Sequence, residues 1–176
     1  MKKIVAISGS TRSSSTNLNL IHAIIDLSNK LFDISIFQEL SQLPHFNPDL
    51  DIENPPIEIQ QFRKQLRDAD GILICTPEYA MGVPGTLKNA IDWTVSSNEF
   101  HHKPTALITA SSQGEKGHAA LLEILKIIEA KITNETSLLI SYAKTKINAE
   151  NKIIDKKTLE EVMSLVNSFY EIIQNG

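Results

Sequence analysis

The stretch Ile4-Val5-Ala6-Ile7-Ser8-Gly9-Ser10-Thr11-Arg12-Ser13-Ser14-Ser15-Thr16-Asn17 decides how this chain is read. It opens with an apolar run suited to a strand buried on both faces of a parallel sheet. From Leu18 onward, apolar positions recur at helical spacing. Between the two lies a loop rich in hydroxyls, with one guanidinium, Arg12, and no acidic residue. A phosphate monoester carries about two negative charges at neutral pH. Helix N-terminal amides, hydroxyls and a guanidinium are the donors that suit it. Strand, donor-rich loop and helix in that order predict a phosphate site at a sheet edge. A serine-rich helix cap accounts for Ser15 or Thr16, but it leaves Ser10 and Arg12 without a role.

The same alternation continues along the chain. Residues 71–75 and 105–109 are further apolar runs, 137–140 completes the set, and Phe32-Asp33-Ile34-Ser35-Ile36-Phe37 alternates like a half-exposed edge strand. Helical stripes fill the gaps, the longest being Leu159, Val162, Met163, Val166, Phe169, Tyr170 and Ile173. Strands alternating with helices predict an α/β doubly wound parallel sheet of five strands, helices on both faces, in a single domain over 1–176. The proline-bearing segment 44–56 is expected as the longest loop, and 148–152 as a turn before the last helix.

Composition removes several function classes. A net charge of −4 offers no electrostatic attraction to nucleic acid or anionic membrane. The single cysteine, Cys75, cannot form an internal disulfide and fits a reducing compartment. The apolar run after Met1-Lys2-Lys3 is too short for a signal-peptide core, and no stretch reaches membrane-span length. The expectation is a cytoplasmic protein.

Two more loops leave strands at the edge where open parallel sheets bind ligands. Thr76-Pro77-Glu78-Tyr79-Ala80-Met81-Gly82-Val83-Pro84-Gly85 carries two prolines and two glycines, which favour a rigid backbone able to present amides and carbonyls to a planar ring. Ala110-Ser111-Ser112-Gln113-Gly114-Glu115-Lys116-Gly117 is a small-residue turn against which a ligand face can lie. The first loop has neither Gly-x-Gly-x-x-Gly nor Gly-Lys-Ser/Thr, so it is neither a dinucleotide fingerprint nor a triphosphate loop.

Gly9-Ser10-x-Arg12-x-x-Ser15-x-Asn17 and Pro77-Glu78-Tyr79-x-x-x-x-Pro84-Gly85-x-Leu87-Lys88-Asn89-Ala90-Ile91-Asp92-Trp93 resemble the two signatures of the NADPH-dependent FMN reductases, a flavodoxin-like family that includes bacterial quinone, chromate and azo-dye reductases. The resemblance runs over nearly the whole chain. It implies strand order 2-1-3-4-5 and bound FMN, with NADPH or NADH as electron donor. It also implies that Ser10, Arg12, Ser15, Thr16 and Asn17 hold the FMN phosphate. Pro77, Glu78, Tyr79 and Ala80 would border the flavin ring, and Ser111, Ser112, Gln113 and Gly114 would cover its other polar edge. Ala80 stands where many members have Asn, Gly82 where Ser is common, and Gly117-His118-Ala119 replaces a Gly-Gly with a downstream Arg.

The function expected is therefore an FMN-dependent NAD(P)H oxidoreductase passing electrons to a small-molecule acceptor such as a quinone, free flavin, azo compound or metal oxyanion. The alternative is a flavodoxin-type carrier that oxidises no nicotinamide. Carriers dock through strongly one-signed surfaces, and −4 over 176 residues is mild. No paired-carboxylate or Ser-His-Asp arrangement is needed, because a flavin carries the hydride chemistry. His101-His102 reads as an exposed loop pair without metal partners, Cys75 as a buried thiol, and Trp93 as a core or subunit contact. His118 either faces the cofactor or starts a helix in solvent. Leu121, Leu122, Ile124, Leu125, Ile127 and Ile128 crowd more than one face of a helix, with Val83, Leu87, Ile91 and Trp93 on the helix before it. A homodimer through these helices, or a homotetramer of two such dimers, is expected.

Overall fold

A computed structural model describes residues 1–12 and 14–175; Ser13 of the hydroxyl-rich loop lies outside the described residues. Five parallel strands, β1 (Lys2–Ser8), β2 (Phe32–Phe37), β3 (Gly71–Thr76), β4 (Thr105–Ala110) and β5 (Ser137–Ile140), form one sheet in the order 2-1-3-4-5. This is the expected flavodoxin-like order. The helices are α1 (Thr16–Ser28), α2 (Ile57–Asp68), α3 (Gly85–Asp92), α4 (Glu115–Ile127) and α5 (Lys156–Gln174).

Period-2 alternation of the strands divides the core into two layers. Ile4 and Ala6, Leu73 and Cys75, Ala106 and Ile108 point to the α1/α5 face, where Phe169 and Ile173 of α5 meet them. Val5 and Ile7, Ile72 and Ile74, and Leu107 point to the other face, under α2, α3 and α4. β1 is thus buried from Ile4 to Ser8 and β3 along its whole length, which is why residues 4–7 and 71–75 read as unbroken apolar runs. Edge strand β2 keeps its alternation because one side stays wet.

The long loop between β2 and α2 holds two short 3₁₀ turns, Leu40–Gln42 and Pro48–Leu50. It is clasped rather than loose. Trp93 Nε1 donates to the Pro44 carbonyl at 2.8 Å and Asn89 Nδ2 donates to the same oxygen at 3.0 Å. The Phe46 amide donates to Asn89 Oδ1 at 2.7 Å, and the Phe46 ring meets Trp93 edge-on at 5.1 Å. Farther along, Arg63 of α2 pairs with Asp51 at 2.6 Å.

These contacts settle several expectations. Trp93 is a core residue, wholly buried within the chain, as are Leu87 and Ile91. They therefore need no partner subunit, which corrects the idea that α3 presents them outward. On α4 the stripe does divide: Leu121 and Leu125 are fully buried while Ile127 is 79% exposed. The 148–152 turn forms as expected, closed by Asn148 N–H to Lys152 O at 3.0 Å.

Candidate functional site

β1 neighbours both β2 and β3, so the chain leaves the sheet in opposite directions there and opens a crevice at the strands' carboxyl ends. A cleft of about 260 Å³ lies on that edge. The first loop lines it with Ser10, Arg12, Ser14, Ser15, Thr16 and Asn17, the second with Pro77 and Tyr79, and the third with Ala110, Ser111 and Ser112. Among the described residues no carboxylate lines it, so no side-chain charge in that wall repels an anion.

The first loop is shaped by its ends. Ser15 caps α1, accepting the Leu18 amide at 3.4 Å, so the capping role belongs to Ser15 and not Thr16. Ser8 and Ser10 brace each other, Ser8 Oγ donating to the Ser10 carbonyl at 3.1 Å. Gly9 lies so close to β3 that a Cβ there would sit 2.2 Å from Thr76 Oγ1. Asn17 reaches 93 residues along the chain to donate from Nδ2 to the Ala110 carbonyl at 3.1 Å. Its Oδ1 is buried with no hydrogen-bond partner among the described residues.

The second loop turns tightly. Tyr79 and Gly82 exchange backbone hydrogen bonds at 3.1 and 3.0 Å, with Ala80 and Met81 both at positive φ, 49° and 60°. That is a type I′ geometry. The Tyr79 hydroxyl lies 3.4 Å from Ser10 Oγ, which joins the first two loops across the cleft. Ala80 sits exposed at the turn tip and Glu78 faces away, its Oε2 accepting the Gly117 amide at 2.6 Å. Neither lines the cleft. Its third wall is tied to the second by the Glu78 amide donating to Ser111 Oγ at 3.2 Å. Gln113 and Gly114 stand behind that wall: the Gln113 carbonyl accepts Ser141 Oγ at 2.9 Å, and Gly114, at φ 104°, begins α4.

The structure adds a fourth wall that the sequence reading missed. Tyr142, Ala143, Lys144 and Thr145, after β5, line the same cleft. Tyr142 is 66% exposed and has left-handed backbone, φ 55°. Its amide donates to the Ser112 carbonyl and the Ala143 amide to the Ser111 carbonyl, each at 3.0 Å. The available signal was positional: this is another loop leaving a strand at the binding edge, and it carries an aromatic and a lysine.

His118 does neither of the things expected of it. Its Nδ1 lies 2.8 Å from Thr109 Oγ1 and its Nε2 3.1 Å from Ser137 Oγ, bridging β4 and β5 outside the cleft. Burial holds its pKa below the ordinary histidine value. Burial also pushes the Cys75 thiol up, so it is an inert core group. The His101 and His102 rings lie 4.0 Å apart, tilted by 50°, with His101 on Glu129, and no metal-binding cluster occurs among the described residues. Among the described residues no helix is long and apolar enough to cross a membrane.

The chain is similar to known proteins. The family model for NADPH-dependent FMN reductase matches residues 2–145. An NAD(P)H-dependent FMN reductase of Pseudomonas aeruginosa is 34% identical over 164 residues, covering 90% of this chain and 88% of that protein. A 2-hydroxy-1,4-benzoquinone reductase of a Burkholderia species is 30% identical over 174 residues, covering 95% and 93%. The structure of FerB, a flavoenzyme NAD(P)H:(acceptor) oxidoreductase from Paracoccus denitrificans, aligns with a TM-score of 0.88 at 25% identity, over 99% of this chain and 98% of that one. With both signature loops meeting in one cleft and the family model spanning them, the chain belongs to the NADPH-dependent FMN reductases and is an FMN-dependent oxidoreductase using NAD(P)H.

Proposed function

We propose that the protein, as a single domain over 1–176, holds FMN in the cleft and transfers electrons from NAD(P)H to a small-molecule acceptor of the quinone class. The observation that carries this is the meeting of a cationic, hydroxyl-rich loop with the Pro77–Tyr79 and Ser111–Ser112 walls in one open crevice. Bound FMN supplies the two-electron chemistry; the protein supplies position and electrostatics. In this reading Ser10, Arg12, Ser15 and Thr16 hold the phosphate with hydroxyls, a guanidinium and the first amides of α1. Asn17 fits the same ligand differently. Its buried Oδ1 needs a donor, which the ribityl hydroxyls of FMN carry and a phosphate dianion does not. Pro77, Glu78, Tyr79 and Ala80 set the edge for the ring, Tyr79 by contact and Glu78 and Ala80 through the turn that aims it. Ser111 and Ser112 face the ring's polar edge, with Gln113 and Gly114 fixing their backbone from behind.

The cleft's open side is where donor and acceptor would exchange, so steady-state NADPH oxidation with a quinone gives parallel double-reciprocal lines. Anaerobic addition of NADPH or NADH bleaches the yellow protein. A flavin left oxidised by both nicotinamides would make the protein a flavodoxin-type carrier instead.

A homodimer, or a tetramer of two, completes the proposal, supported by the exposure of Ile127 at 79% and Val95 at 53% and by the incomplete burial of Leu122, Ile124 and Ile128. Light scattering at low concentration returning the 19.6 kDa of one chain would overturn it. A cytoplasmic location is proposed from the lone cysteine, a free buried thiol.

A further inference from the structure

The geometry points to Lys144 as a second cation for the FMN phosphate, delivered by a left-handed turn at Tyr142. This rests on the FMN reading of the cleft. A phosphate monoester carries about two negative charges at pH 7, yet the signature loop contributes one side-chain cation. That cation, Arg12, is exposed and stands on a ridge, lining both this cleft and a second one of about 310 Å³ on the far side of the loop. Its guanidinium alone leaves the dianion under-compensated.

Lys144 lies in the wall of the first cleft only. Its ammonium makes no ion pair and donates no hydrogen bond among the described residues, unlike Lys88, Lys103, Lys131 and Lys152, which are engaged with carboxylates or carbonyls. The strain that brings it there is local. A bulky residue at φ 55° is costly, and here it is held by Tyr142 N–H to Ser112 O and Ala143 N–H to Ser111 O at 3.0 Å, and by Thr145 Oγ1 to Tyr142 O at 2.8 Å. Those bonds reverse the chain after β5 and return residues 143–145 to the cleft. An exposed lysine acts on a phosphate as a mobile point charge, so its contribution is electrostatic, screened by salt and specific to the charged end of the ligand.

The test compares FMN with riboflavin, which lacks the phosphate, by flavin fluorescence on the apo-protein. Lys144→Ala is expected to weaken FMN binding about threefold to tenfold at low ionic strength, with riboflavin binding unchanged. Lys144→Glu weakens FMN further, Lys144→Arg restores it, and Lys146→Ala, which removes a nearby charge that does not line the cleft, has no effect. The deficit shrinks as salt rises to about 0.5 M, where the screening length falls to a few ångströms. If wild type prefers FMN strongly over riboflavin and Lys144→Ala leaves that preference intact, the inference fails while the FMN reading stands. A variant that loses FMN and riboflavin equally would show a structural role and also overturn it. A wild type that binds both flavins alike would remove the phosphate reading of the first loop, and the inference with it.

Discussion

Glu78 Oε2 accepts the backbone N–H of Gly117 at 2.6 Å, across 39 positions of sequence. Gly117 is the third residue of α4, whose own N-cap residue, Gly114, has no side chain to offer. Glu78 therefore acts as a remote N-cap, satisfying an amide that a Ser or Asp would normally serve and placing a carboxylate at the positive end of the helix. Gly117 allows this approach: a Cβ there would lie 3.0 Å from the Gly82 carbonyl and 3.2 Å from Glu78 itself. One contact thus locks the second loop to the third.

Removing that cap carries a defined cost. Glu78→Ala is expected to destabilise the protein by about 1 kcal/mol, within the range for lost N-caps, and Glu78→Gln by less, since an amide oxygen still accepts. Urea denaturation measures the loss, and hydrogen exchange should speed up at Gly117 and His118 first. Unchanged exchange in Glu78→Ala would mean that water or another group caps α4.

The turn at Ala80 is stabilisable. Positive φ at both Ala80 and Met81 is tolerated by Asn and Gly far better than by residues with an ordinary Cβ. Ala80→Asn should raise stability by about 0.5–1 kcal/mol, and Ala80→Val should lower it. Thermal midpoints compared with wild type decide the point; a destabilised Asn variant would be incompatible with the type I′ turn.

The clasp on the β2–α2 loop predicts coupling. Asn89→Ala strands the Phe46 amide and should cost about 1–3 kcal/mol, whereas Trp93→Phe removes one donor from a Pro44 carbonyl that Asn89 still serves, about 1 kcal/mol. Only the double variant leaves that carbonyl bare. Its loss should exceed the sum of the singles by about 0.5 kcal/mol or more. Strict additivity in denaturant midpoints would break the argument.

His118 sets a pH window. Burial favours its neutral form, so the folded state holds a lower pKa than the unfolded chain. As pH falls below the unfolded value of about 6.5, the unfolded chain takes the proton first. The contribution is thus complete above that pH and is lost on acidification through the folded pKa. Between about pH 7.5 and 5, stability should decline in wild type and decline less in His118→Gln. Equal slopes for the two proteins would assign the decline to other groups.

Much of this was legible in the sequence. Residues 4–7 and 71–75 announced central strands because burial on both faces leaves no polar position, and Phe32–Phe37 announced an edge because one face stays wet. The Ser10–Asn17 loop declared its anion chemistry by composition, and Pro77-Glu78-Tyr79 with Pro84 to Trp93 declared the family. Such signals are local, carried by neighbouring side chains and by backbone preferences. What tertiary structure alone decided are the meetings of distant residues. Asn89 and Trp93 belong to a signature yet serve the Pro44 loop, Glu78 caps a helix 39 positions away, and Lys144 enters the cleft because Tyr142 reverses the chain against Ser111 and Ser112. A side chain's residue type states which bonds it can make; only packing, which sets the distance to its partner, states which one it makes.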